Sequence, residues 1–147
     1  MSAWLLAGLA LAQSGVADPR AFVAERYVLY ALGDGAIPAL DAIASSRLRA
    51  HLEAHDQAAG GEELIDRDWW VNGRAGEAPR LGRVALAEEP GGDPARRVIA
   101  VRFRNHGRPA LLRFHFRHEQ AAWRLDEVVG EAGGRRWSLT GLLAARP

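Results

Sequence analysis

The 147-residue chain contains no cysteine. Disulfide bonds, thiol catalysis and thiolate metal sites are therefore excluded, but the compartment stays open because exported proteins can fold without disulfide bonds. The chain also lacks an excess of one charge, since its formal net charge is +1. A protein that neutralises many phosphates usually carries a concentrated basic face. Because the arginines are spread through strand-like segments, we interpret them as a solvated sheet face and expect no nucleic-acid partner.

The common catalytic signatures are absent from the sequence as well. No Gly-x-Ser-x-Gly occurs, and the glycine-rich stretches GDG and PGG lack the lysine and the following helix of a phosphate-binding loop. His51 and His55 have a spacing that can chelate a transition metal from one helix, but neither an HExxH pattern nor a third ligand accompanies them. We therefore predict no metal site and no cofactor.

The chain begins with an uncharged apolar run, AWLLAGLALA, from Ala3 to Ala12. This run is shorter than the roughly 20 residues that a membrane-spanning helix needs. It leads into Gly15-Val16-Ala17, which offers small residues at the positions that a signal peptidase reads, although no Lys or Arg precedes the run. A buried N-terminal helix is the alternative. We expect residues 1–17 to be a signal peptide and the mature protein to be periplasmic or secreted, without a stable membrane span.

Residues 18–147 are predicted to form a single domain that begins with helices. Asp18-Pro19 is typical of a helix start, since Asp caps free amides and Pro is tolerated in the first turn. The apolar residues that follow recur at three- and four-residue steps and give one broad face. A serine, Ser45 or Ser46, is expected to cap a second long helix, and Ser138 a short C-terminal one.

Beyond Gly73 the hydrophobic period changes from that of helices to that of strands. Four alternating segments joined by short turns predict an antiparallel meander with one wet face: residues 81–89, 96–105, 110–118 and 122–129. The stretch GEAGGRR that follows is interpreted as a loop. Helices followed by antiparallel strands predict an α+β fold, with the helices packed on one face of a curved sheet. A sheet of strong curvature closes into a cone whose mouth can hold a ligand.

Four segments in this order carry a resemblance that spans nearly the whole mature chain: FVAERYVLYALGDG, LRAHL, IDRDWWVNG and WRLDEVV followed by SLTGLL. In these segments the chain resembles the NTF2-like superfamily and, within it, the small exported bacterial domains grouped as DUF3828. The resemblance implies a cone-shaped α+β fold, often a signal peptide, and in many members pairing through the open sheet face, so a homodimer is one expectation. It implies no activity. Relatives often carry Gln-Asp where this chain has Arg74-Ala75-Gly76.

The segment IDRDWWVNG holds the best candidates for chemistry. Asp66 and Asp68 are two residues apart, so in a strand both carboxylates face the same way, and a shared site raises the pKa of one of them for acid/base work. The structural alternative has one Asp capping a turn, Trp69 or Trp70 packed in the core, and Asn72-Gly73 in a tight turn. The ligand-binding candidates are Asp66, Asp68, Trp69, Trp70, Asn72, Tyr27, Tyr30 and His115.

Three functions remain open at this point. The leading interpretation is a non-catalytic exported domain that binds a small molecule or an envelope protein. The second is a small cofactor-independent enzyme, similar to the isomerases and dehydratases of the superfamily, that transfers protons between Asp66 or Asp68 and His115. The third is an inhibitor or immunity-type partner protein, which would need an exposed apolar patch of several hundred Å².

Overall fold

The computed structural model describes residues 15–33, 39–59, 67–74 and 76–144. Most of the expected leader and Asp66 therefore lie outside the described residues. Three helices come first: α1 (Pro19–Ala31), α2 (Leu40–Ile43) and α3 (Ser46–Ala59). A short hairpin follows, made of β1 (Arg67–Asp68) and β2 (Gly73–Arg74). The remaining elements are β3 (Leu81–Glu89), β4 (Arg96–Asn105), β5 (Arg108–Glu119), β6 (Ala122–Ala132), β7 (Arg135–Ser138) and α4 (Leu139–Ala144).

The strands β3 to β7 form one antiparallel sheet in the order β3-β4-β5-β6-β7. The predicted α+β class, the antiparallel meander and the short C-terminal helix are thus confirmed. The interpretation of GEAGGRR as a loop is wrong. Within this stretch β6 continues to Ala132 and β7 begins at Arg135, and these two residues pair across the turn. Gly133 and Gly134 make this tight reversal with φ angles of 57° and 75°, which glycine adopts without a steric penalty.

The helix starts follow the predicted capping pattern. The Asp18 carboxylate accepts a hydrogen bond from Arg20 N at 2.9 Å at the start of α1. Ser45 Oγ accepts one from Leu48 N at 3.1 Å, which makes Ser45 the side-chain cap of α3. Ser138 Oγ accepts one from Gly141 N at 3.1 Å in the first turn of α4. Each bond satisfies an amide that the helix itself leaves free.

The core lies between α1 and one face of the sheet. Tyr27 of α1 is 2% exposed and packs against Phe103 of β4 and Phe114 of β5, with ring centroids 5.5 and 6.3 Å apart. Alternation along β5 brings Leu112, Phe114 and Phe116 to this face, where each is at most 1% exposed. The helical face and the sheet face predicted from the sequence are therefore the two halves of one core.

Gly15 and Val16 belong to this fold. Val16 is 5% exposed and pairs with Trp123, in the part of β6 that does not pair with β7. Val16 N donates to Trp123 O at 2.8 Å, and Trp123 N donates to Val16 O at 3.1 Å. Cleavage before Asp18 would remove this pair of bonds, so the expected leader and the folded domain overlap by these residues. Of the helices in the described ranges, none is long and apolar enough to cross a membrane.

Candidate functional site

The hairpin β1–β2 presents the two adjacent tryptophans to the core. Trp70 is fully buried, and its ring stacks on Phe114 at 5.0 Å and on Trp69 at 4.7 Å between centroids. Its indole N–H has no hydrogen-bond partner among the described residues, which costs on the order of 1–3 kcal/mol for a buried donor. Packing of the rings outweighs that cost, so Trp70 fills the core instead of lining a cavity.

Tyr27 fixes the hairpin to α1. Its hydroxyl donates a hydrogen bond to the backbone O of Trp70 at 2.6 Å, in a fully buried position. Burial raises the pKa of Tyr27 well above its ordinary value, and the nearby hydroxyl of Tyr30 and carboxylate of Asp68 raise it further. The neutral phenol is therefore the stable form, and it serves as a structural donor.

Asp68 is the one candidate acid in the described part of the chain. It accepts a hydrogen bond from Trp70 N at 3.1 Å, as in a capped turn, and Tyr30 OH lies 3.3 Å from both of its oxygens. Burial raises the pKa of Asp68 above its ordinary value, while the hydrogen bonds from Trp70, Tyr30 and Val71 act in the opposite direction. Burial and the charge of Asp68 also raise the pKa of Tyr30. Asp68 thus combines a structural bond with contact to a second titratable group.

Asn72 links the hairpin to the far edge of the sheet. It adopts φ 53°, a turn conformation that Asn tolerates, and its Oδ1 accepts a hydrogen bond from Trp137 Nε1 at 2.8 Å. The Trp137 ring lies directly over Gly130, where an added Cβ would approach the ring to 2.2 Å. The predicted Asn turn therefore also serves as the acceptor that positions Trp137. We call Tyr27, Tyr30, Asp68, Trp69, Trp70 and Asn72 the aromatic hairpin cluster.

His115 does not join this cluster. It alternates with Phe114 and Phe116 along β5, so it lies on the sheet face opposite the core, across from Glu127 of β6. Burial lowers the pKa of His115, and the nearby negative charges of Glu127, Asp126 and Glu89 act in the opposite direction. The sheet therefore separates Asp68 from His115, so the described residues do not bring these two together. Asp66, the other acid of the enzyme hypothesis, lies outside the described residues.

The carboxylate beside His115 has a structural role. Glu127 Oε1 accepts a hydrogen bond from Thr140 N at 3.1 Å, and Oε2 accepts one from the Thr140 hydroxyl. Arg47 Nη2 of α3 lies 3.5 Å from Glu127 Oε2. These bonds attach α4 and α3 to β6.

Among the described residues no group of three His, Cys, Asp or Glu side chains could hold a metal ion. Of the two histidines with chelating spacing, His55 has its Nδ1 2.9 Å from the backbone O of Leu143.

The outer sheet face, opposite α1, carries a feature that the sequence interpretation missed. Cross-strand pairing places one residue from each strand in a single row: Arg102 lies opposite Ala85 and Leu111, Leu111 opposite Glu131, and Glu131 opposite Arg136. This row runs across the end of the sheet where the β4–β5 and β6–β7 turns lie side by side. Arginines that are far apart in the sequence therefore meet at one end of the fold.

A cavity of about 600 Å³ opens at this end. Its charged lining consists of Arg83, Arg102, Arg104, Arg135, Arg136 and Glu131. All 19 basic residues of the chain are arginines, and the five that line this cavity are exposed. Pro109, Ala110 and Leu111 add apolar surface. We call this cavity the arginine basin. Its arginines are solvent-exposed, as predicted from the sequence, but the fold gathers them at one end of the sheet.

Charge in the arginine basin is poorly balanced. Glu131 is the one carboxylate in its lining, and it is shared by Arg113 at 3.4 Å and Arg136 at 3.9 Å. Arg83, Arg102 and Arg135 have no ion-pair partner within the described ranges, and Arg104 Nη1 donates to Gly107 O at 2.8 Å. Several guanidinium groups close together around a concavity create a positive potential that favours anions.

Two further cavities adjoin the arginine basin. One, of about 540 Å³, shares Arg83 and Arg104 with it and reaches Tyr30. The other, of about 950 Å³, contains Asn72 and is better balanced in charge, since Arg74 and Arg108 share its lining with Glu77. The arginine basin and the aromatic hairpin cluster therefore occupy neighbouring parts of the same end of the sheet.

The sequence carried one usable signal for the basin. Arginines lie within or near both turn segments, HGRP and GGRR, and alternate turns of an antiparallel meander lie at the same end of the sheet. Recognising β7 would have placed the two turns together.

Comparison of the chain with models of protein families, with curated proteins and with solved structures finds no match.

Proposed function

We propose that this protein is an exported domain of the NTF2-like superfamily, of the DUF3828 type, that binds a small molecule without transforming it. Support for the family comes from the positions of the segments that carry the resemblance. They contribute to α1, α3, the β1–β2 hairpin, β6 and α4, and each of these elements supplies residues to the core. The order of helices before an antiparallel meander agrees with the cone-like arrangement expected of that superfamily.

One observation carries the binding function, namely the open arginine basin of about 600 Å³. Cavities of roughly 300–1,000 Å³ with apolar walls and a few convergent polar groups are the usual sites for small ligands. The residues first proposed for acid/base work support catalysis less well, because Asp68 already accepts a backbone amide and His115 lies on the other sheet face. The basin is the place where free polar groups converge.

A ligand survey tests the binding function directly. The protein is purified from its exported pool, and small molecules released on denaturation are identified by mass spectrometry. We expect a stoichiometric compound whose retention is lost when basin residues are changed, while changes at the opposite end of the sheet leave it bound. Retention that depends on no basin residue would contradict the proposal.

Export has its own test, which the contacts of Val16 make sharper. N-terminal sequencing of the exported protein is expected to show a processed chain. A start at Asp18 would mean that the mature protein lacks the Val16–Trp123 pairing, whereas a start at or before Gly15 would preserve it. An intact Met1 in exported material would contradict the proposed signal peptide.

A proton-transfer enzyme is the second candidate, and the contact between Asp68 and Tyr30 favours it. A carboxyl with a raised pKa beside a phenol is the type of pair from which acid/base sites are built. Asp68→Asn keeps the shape of the side chain and removes the titrating group. If the protein isomerises or dehydrates a substrate, this variant should lose turnover while still binding that substrate.

A further inference from the structure

We infer that the arginine basin binds a small polyanion, a molecule that carries two or more phosphate or carboxylate charges. This inference rests on the proposed binding function and names its ligand class. The first argument is the balance of charge. Five guanidinium groups surround one carboxylate in the lining, and that carboxylate is already shared with Arg113 on the outer face. A ligand with at least two negative charges would offset the remaining repulsion.

The second argument is that three separate parts of the sheet bring the arginines together. Arg102 and Arg104 alternate onto the outer face of β4, and Arg135 and Arg136 begin β7 directly after the Gly133–Gly134 turn. Strands and a tight turn fix the backbone positions from which these side chains project, so ligand binding has to order only the exposed side chains.

Arg83 reaches the basin through a local irregularity of β3. The pairing of β3 with β4 shifts between Gly82 and Ala85, and Arg83 adopts φ 54° within this bulge. A bulge redirects a side chain away from regular alternation, and a positive φ is uncommon for a residue other than glycine. The result here is that Arg83 lines the same cavity as Arg102 and Arg104.

The third argument concerns the chemistry of the donors. A guanidinium group presents N–H donors in a planar fork that pairs with two oxygens of one phosphate or carboxylate, and it stays charged at every physiological pH. Arginine is therefore suited to hold oxyanions in a fixed orientation. Pro109 and Leu111 provide apolar contact for the body that connects the charged groups.

The shape of the site favours a small ligand over nucleic acid. The five guanidinium groups line a concavity of about 600 Å³, whereas a duplex needs a basic surface that follows its backbone. The proposed ligand is therefore a compact phosphate ester, a polyphosphate or a polycarboxylate. These sources share oxyanion chemistry, and the probes below distinguish them.

Isothermal titration calorimetry of the purified protein with inorganic pyrophosphate, citrate and a neutral sugar tests the inference. We expect pyrophosphate, citrate or both to bind and the sugar not to bind. Replacing Arg102 and Arg135 together by Gln should weaken binding at least about tenfold, because hydrogen bonds to charged groups are lost. The double Lys variant should recover part of that loss, since charge returns without the fork.

Arg96→Gln is the matched control, because Arg96 is an exposed arginine at the opposite end of β4 and lies 3.6 Å from Asp93. It should change the affinity by less than about twofold, in keeping with its distance from the basin. Circular dichroism should show that all the variants are folded. Equal weakening by Arg96→Gln would overturn the inference.

Three other outcomes would overturn the inference, and the first of them separates it from the proposed function. If neither polyanion binds but a neutral or cationic compound binds and is displaced by basin substitutions, the ligand class is wrong and the binding function stands. If no compound binds at the basin, both fail. Tighter binding of duplex DNA than of pyrophosphate, with a steep salt dependence, would replace the small polyanion by nucleic acid.

Discussion

The aromatic hairpin cluster and the arginine basin lie at the same end of the sheet but are built on opposite principles. In the cluster, Trp70 and Tyr27 are almost fully buried and the Tyr27 hydroxyl bonds to the Trp70 backbone. In the basin, Arg102 and Arg135 are exposed and have no ion-pair partner within the described residues. Buried, closely packed groups stabilise a fold, whereas unneutralised groups around a cavity remain available to a ligand.

The largest expected effect on stability comes from removing the buried indole. Trp70→Ala should lower the free energy of unfolding by about 3–5 kcal/mol, because it leaves a large cavity against Phe114. Denaturant unfolding followed by circular dichroism measures this change. Trp70→Phe is the control and should cost less, since it keeps an aromatic ring and removes the unpartnered N–H. A loss below about 1 kcal/mol for Trp70→Ala would break the comparison.

Gly130→Ala tests whether the two regions are coupled. The added Cβ would collide with the Trp137 ring, which bonds to Asn72 of the cluster and belongs to the strand that carries Arg135. Overpacking of this kind costs about 1–3 kcal/mol. We expect lower stability together with weaker polyanion binding. Thermal unfolding and calorimetry of the same sample measure the two losses. A loss of stability without a loss of polyanion affinity, or the reverse, would mean that the two regions are independent.

The Tyr27 hydroxyl provides a smaller test of the same comparison. Tyr27→Phe leaves the Trp70 carbonyl without its buried donor and should destabilise by about 1–2 kcal/mol, without affecting polyanion binding. Tyr30→Phe should cost less, because the contacts of Tyr30 with Asp68 are longer, at 3.3 Å, and only partly buried. Equal losses for the two variants in denaturant unfolding would show that the ranking from burial is wrong.

The smallest expected effect is the pH dependence due to His115. Burial lowers its folded-state pKa below the unfolded value of about 6.5, so the unfolded chain binds the proton more tightly. The contribution of His115 to stability is therefore complete above about pH 6.5, the unfolded-state pKa, and is lost as the pH falls from there through the lower folded-state pKa. Unfolding curves from pH 7.5 to 5 should show a shallower decline for His115→Gln than for the original chain. Identical slopes would contradict this assignment.

Local patterns in the sequence predicted much of the fold and most of the cluster. The capping residues, the alternation of β4 to β6 and the roles of Trp70 and Asn72 as core and turn all depend on neighbours within a few residues. These are the features that capping, periodicity and turn chemistry determine. The acid/base interpretation of Asp68 with His115 needed knowledge of which sheet face each occupies relative to the hairpin, and local pattern could not supply it.

The arginine basin escaped prediction for a different physical reason. Its members lie between residues 83 and 136, and what joins them is strand register together with a bulge at Arg83 and the return of β7. Register depends on long-range pairing, and a bulge breaks the alternation from which faces are predicted. Interpreting GEAGGRR as a loop placed Arg135 and Arg136 outside the sheet, which concealed the cluster of positive charge.

A titration followed by ¹H–¹⁵N NMR compares the two regions in one sample. Pyrophosphate is added to the labelled protein while the amides of Gly133 and Gly134, the Nε–H groups of the basin arginines and the indole N–H groups of Trp69 and Trp70 are recorded. We predict saturable shifts at the glycine amides and the arginine side chains, with the two indoles unchanged. Shifts at the indoles of Trp69 and Trp70 with an unresponsive basin would contradict the assignment of binding to the arginines and of stability to the aromatic hairpin cluster.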